Sequence, residues 1–123
     1  MKVDVTPPII IDDHGDIGLY ANLEDAAADL EAVDVLDEAY EVFDSTGRII
    51  RATAEGINSK VTLTIDTSRP PVPDLLAERL RLFIENVGPE RIGIQGSLAA
   101  LSLKDLVGAL ARFWGSPSSM IGA

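Results

Sequence analysis

Apolar and polar residues alternate strictly through Lys60-Val61-Thr62-Leu63-Thr64-Ile65-Asp66, so Val61, Leu63 and Ile65 share one face and Lys60, Thr62 and Thr64 the other. This pattern predicts a strand with one dry side. Upstream, Tyr40-Glu41-Val42-Phe43 and Arg48-Ile49-Ile50-Arg51-Ala52-Thr53 flank Asp44-Ser45-Thr46-Gly47, where a glycine can take positive φ. An antiparallel hairpin follows from that spacing. Gly56-Ile57-Asn58-Ser59-Lys60 has neither the spacing nor the order of a phosphate loop and reads as the next hairpin turn. A further pair of apolar runs, Ile9-Ile10-Ile11 and Ile17-Gly18-Leu19-Tyr20, encloses Asp12-Asp13-His14-Gly15-Asp16, again a turn composition.

Helical periodicity appears three times. Leu23, Ala26, Ala27 and Leu30 fall on one stripe behind Asn22, a good N-cap, while Glu24, Asp25, Asp29 and Glu31 fall outside it. Leu76, Leu80, Phe83, Ile84 and Val87 form a second stripe, opposite Glu78, Arg81 and Glu85 and stopped by Gly88-Pro89. Ser102 caps a third helix carrying Leu103, Leu106, Val107 and Leu110. Arg91-Ile92-Gly93-Ile94 reads as a short strand, and Glu31 to Glu38 as a lead into the central hairpin. The expected fold class is α+β: an antiparallel sheet of four to five strands with three helices packed against it. Residues 1–123 are expected to form one domain, with a frayed arm at 1–8, a Pro-rich connector at 67–73 and a loose tail at 116–123.

Charge alters this picture by its distribution. The chain carries a formal net charge of −10, yet of its 20 acidic residues 13 precede Arg48, against the single Lys2. The rest of the chain is slightly basic. Such a field disfavours nucleic acid and anionic lipid and favours a basic protein partner. No apolar run approaches the ~18 residues of a membrane span, and Met1 to Pro8 lacks the apolar core of a signal peptide. Cysteine is absent, which excludes disulfides and thiolate chemistry and suits a cytoplasmic location.

Candidate chemistry is sparse. Asp12, Asp13, His14 and Asp16 combine carboxylates with the chain's one imidazole, a low-specificity metal-ligand set that would support at most a small metal-assisted hydrolase. A solvated turn is the favoured reading. Gly96-Ser97 lacks the later glycine of a nucleophile elbow, and no catalytic residue or cofactor is assigned. For partner binding, Glu24, Asp25, Asp29 and Glu31 stand off the apolar stripe, and Tyr20, Tyr40 and Trp114 could present aromatic surface. Phe113 and Trp114 are adjacent, so one of them must face outward, and the last helix is the expected route to a homo-oligomer; a housekeeping homo-oligomer is the alternative to a partner-binding role.

The runs Ile11-Asp12-Asp13-His14-Gly15-Asp16-Ile17-Gly18-Leu19-Tyr20, Leu23-Glu24-Asp25-Ala26, Leu30-Glu31 and Phe43-Asp44-Ser45-Thr46-Gly47-Arg48 resemble small acidic bacterial proteins. Some of those are similar to immunity proteins of polymorphic-toxin systems. The resemblance spans residues 9–51 and implies a non-enzymatic, toxin-neutralising binder with no catalytic residue.

Overall fold

The structure, a computed structural model, describes residues 5–37 and 39–114. Its centre is a sheet of five strands, β1 (Ile9–Asp13), β2 (Asp16–Tyr20), β3 (Tyr40–Phe43), β4 (Ile49–Thr53) and β5 (Thr62–Ile65), in the order β2-β1-β3-β4-β5. Every pairing is antiparallel. Among the described residues five helices surround it: α1 (Leu23–Ala28), α2 (Ala32–Leu36), α3 (Pro73–Val87), α4 (Pro89–Ile92) and α5 (Leu103–Trp114), with a 3-10 turn at Leu98–Ala100. The α+β class and the strand number match the sequence pattern. The helix number does not.

Both faces of the sheet are covered where β1, β2 and β3 lie. Ile10, Ile17, Leu19 and Phe43 pack with Leu76, Leu80, Ile84, Leu106 and Leu110 of α3 and α5. Ile9, Ile11, Tyr20 and Val42 point the other way, where Ala26, Leu30, Ala32 and Val35 close over them together with Ile50, Val61 and Leu63. The unbroken Ile9-Ile10-Ile11 run is therefore the mark of a strand buried on both sides. The expected single dry face holds only for β4 and β5, whose Arg51, Thr53, Thr62 and Thr64 are exposed opposite buried Ile50 and Leu63.

The two extra helices are short. α2 has five residues, too few to show a helical period, and its valines favour strand on propensity. α4 is a single turn in place of the expected strand: Pro89 occupies the first helical position, and Gly93, at φ 86°, ends it in the left-handed conformation. Asn22 caps α1 as expected, accepting the Asp25 N–H at 2.8 Å. Ser102 caps α5 reciprocally with Asp105.

Buried carboxylates fix the loops that join these layers. Asp44 is fully buried and accepts the backbone N–H groups of Thr6, Thr46 and Arg48 at 3.1, 2.9 and 3.0 Å, and the Thr46 hydroxyl at 2.7 Å. Ser45 N–H in turn donates to Thr6 carbonyl at 2.9 Å. The arm expected to fray is thus tied down at Thr6; residues 1–4 and the tail at 116–123 lie outside the described residues. Gly47, at φ 92°, lets the β3–β4 turn nest under α3, since a Cβ there would stand 2.6 Å from Pro73 Cα. Val72 N–H donates to Gly47 carbonyl at 2.8 Å, which secures the connector at its helical end. Among the described residues no helix is long and apolar enough to cross a membrane.

Candidate functional site

The layer formed by α1 and α2 follows from a stretch, Ala21 to Ala39, that contains no lysine or arginine. Packing on the sheet uses its small and branched residues, Ala26, Leu30, Ala32 and Val35, and turns the carboxylates outward. Glu24, Asp25, Asp29, Glu31 and Asp37 are all exposed, and Asp34 is half-buried. Among them α2 also exposes two large apolar side chains, Val33 at 43% and Leu36 at 46%. They are three positions apart, so they share one edge of the helix. The outcome is an apolar pair bordered by acids, on the face of the protein opposite α3 and α5.

The aromatic candidates behave differently from this surface. Tyr20 is only 4% exposed; its ring lies across Gly18, where a Cβ would stand 3.0 Å from the phenol oxygen, and its hydroxyl donates to Asp29. It is a core residue, and its assignment to a contact surface is corrected. Burial, followed by the hydrogen bond to Asp29 and that carboxylate's charge, raises the phenol well above its ordinary range. Tyr40 is half-buried and donates to Asp34 at 3.1 Å; burial and that bond raise its phenol as well. Both phenols thus orient acids of the α1–α2 layer from beneath. Asp13, Asp16 and Asp29 line a small cleft of about 130 Å³ with these two tyrosines, extending the acidic surface toward the β1–β2 turn.

Trp114 is also half-buried, its ring centroid 5.6 Å from that of Phe83 on α3. The outward member of the Phe113-Trp114 pair is Phe113, 42% exposed, and not Trp114. Adjacency required that one face out, and packing against α3 selected which.

The metal-ligand candidates are spread by the hairpin that holds them. Asp13 pairs with Asp16 across a two-residue turn of His14 and Gly15, both at positive φ, 53° and 96°. Asp12 is 3% exposed and faces α3: one carboxylate oxygen accepts Gly15 N–H at 2.7 Å and the other accepts from Arg79. It is therefore a structural residue and not part of a solvated turn. Strand alternation sends Asp13 to the opposite face, where it meets exposed His14 at 3.0 Å. Among the described residues no three His, Asp or Glu side chains converge as a metal would require.

Arg79 was not singled out by its position in the sequence, yet it bridges Asp12 and Glu41, the latter at 3.0 Å. Those two acids are directly opposed across β1 and β3, a like-charge pair that would otherwise repel. Comparison of the chain with protein-family models, with curated proteins and with solved structures gives no match.

Proposed function

We propose that this chain is a non-enzymatic binding protein whose acidic α1–α2 layer engages a basic protein partner, and that its finer role is neutralisation of a toxin, as the resemblance of residues 9–51 to immunity-like proteins implies. The observation that carries the reading is the exposure of Val33 and Leu36 inside a border of Glu31, Asp34 and Asp37, with no basic side chain in that stretch. Acids alone would suit solubility. An apolar pair held in their midst gives a partner something to desolvate, and apolar anchors with a charged border are the usual anatomy of an interface.

Charge and apolar area act at different stages of binding. The acidic border steers a basic partner and raises the association rate, an effect that fades as salt shortens the Debye length below ~10 Å. Val33 and Leu36 then act on dissociation, since water-excluded anchors carry most of the energy of an interface.

The test is capture from lysate of the source organism, or with the product of a neighbouring gene, repeated across salt concentrations. Glu24, Glu31 and Asp37 reversed to lysine should slow association, whereas Val33→Ser with Leu36→Ser should speed dissociation. Asp29 is kept, because reversing it would strand the Tyr20 hydroxyl. A captured partner indifferent to salt and to both sets of changes places the contact elsewhere and overturns the proposal.

A further inference from the structure

On the side of the sheet away from α1 and α2, a groove of about 1050 Å³ runs along α5 between the Thr6–Pro8 arm and the loop at Gly93, Ile94 and Gln95. The outer face of α5 lines it. Along that helix, core and groove positions alternate: Leu106 and Leu110 are fully buried, while Lys104, Asp105 and Arg112 are exposed and Gly108 and Ala111 half-buried. The Arg112 guanidinium lies over Gly108; a Cβ on Gly108 would stand 3.4 Å from Arg112 Nη1. Neither Lys104 nor Arg112 has an ion-pair partner among the described residues.

Charge decides what could fill this groove. The chain repels itself through its acidic half, yet here two cations accompany one acid, so two copies can approach at this surface without a net like-charge cost from the acidic half. The order of those charges is self-complementary. Asp105 and Arg112 are seven residues apart, two turns, and project from the same side of α5, with Gly108 midway between them. A two-fold axis perpendicular to the helix, passing beside Gly108, keeps that side in register and reverses the helix direction. It brings Asp105 of each copy opposite Arg112 of the other.

We propose that the outer face of α5 is an isologous interface, packed against α5 of a second copy in antiparallel orientation and held by two reciprocal Asp105–Arg112 ion pairs. Closed two-fold association is the commonest oligomer geometry and needs only such a self-matching patch. The groove offers fewer residues than the roughly 20–30 a side of a standard interface, so the dimer forms in a concentration-dependent way. The arrangement leaves the α1–α2 layer of both copies exposed and is independent of what that layer binds.

Sedimentation or light scattering over a concentration series tests it on the full chain. Wild type should pass from monomer to dimer as concentration rises. Asp105→Arg places two cations opposite two cations, and Arg112→Asp places two acids opposite two acids, so each variant alone should be monomeric. Mixed in equal amounts, the two should form a 1:1 dimer, because each cation of one then meets an acid of the other. Circular dichroism guards against misfolding, and Ser102 Oγ still accepts the residue 105 N–H in the Asp105→Arg chain. A wild type that stays monomeric throughout, single reversals that still dimerise, or a mixture of folded variants that fails to associate would each overturn the proposal.

Discussion

Removing the Arg79 side chain beyond its stem, as in Arg79→Met, tests what holds α3 to the sheet. Arg79 donates to Asp12, which is almost fully buried, and to Glu41, which is half exposed. Without it, Asp12 keeps only the Gly15 N–H as a partner and stands opposite a second carboxylate. Loss of one partner of a fully buried pair costs about 3 to 5 kcal/mol. The guanidinium is about one-third exposed and Glu41 can turn to water, so the expected cost is smaller, about 2 to 3 kcal/mol. Methionine retains the stem that packs along the sheet, which separates lost charge from lost packing. The assay is urea unfolding at pH 7 of wild type, Arg79→Met, Asp12→Asn and the double variant. Asparagine can still accept the Gly15 N–H while removing the charge, so Arg79→Met should cost about 1 to 2 kcal/mol less in the Asp12→Asn background. Equal cost in both backgrounds would refute the account, because the bridge would then contribute nothing specific to the pair.

Leu63 is buried and Thr62 exposed on adjacent positions of β5, so Leu63→Ala should cost about 2 to 5 kcal/mol and Thr62→Ala less than ~1 in the same melts; equal losses would contradict the register. Tyr20 ionises less readily folded than unfolded, so its stabilisation is complete below the unfolded value of about 10 and is lost as pH rises beyond it; Tyr20→Phe should flatten the alkaline fall in stability, and parallel curves for the two proteins would refute the linkage. His14→Ala combined with Asp16→Ala should change stability by less than ~0.5 kcal/mol, both being exposed; a rise in Tm with a divalent metal that this pair of changes abolishes would restore the metal reading.

Where periodicity ran over enough residues, the sequence was legible. The alternation at residues 60–66 placed Val61 and Leu63 in the core, and the stripe from Leu76 to Val87 placed α3, because both patterns repeat often enough to fix a face. Short elements carried no such signal: five residues of α2 and one turn of α4 are held by what they pack on. Position in the sheet was hidden for a related reason. Nothing local tells that β1 lies between β2 and β3, so Asp12 looked like a turn residue when it faces Arg79, 67 residues away. The Asp44 loop lock was equally invisible, since its partner Thr6 is 38 residues distant. The acids of the candidate surface were legible as charge; the apolar pair that gives them a centre was not, because the five residues of α2 are too few to show a helical period.

That last gap bears on how the molecule divides its surface. Acids crowd the first 47 residues of the sequence, and the fold converts this linear asymmetry into a spatial one by placing α1 and α2 together on one side of the sheet and α3 to α5 on the other. A fully mixed layering would have neutralised the field. Arg79 is a cation from the other half that pairs with the two acids on its own side of the sheet, Asp12 and Glu41, away from the α1–α2 layer. Asp29 and Asp34 are held from below by tyrosine hydroxyls, neutral donors that fix position without cancelling charge. Scattered acids serve solubility without being oriented, so the tyrosine hydroxyls beneath Asp29 and Asp34 add an order that solubility does not use. The proposed recognition of a basic surface would draw on both properties, charge retained and its bearers ordered.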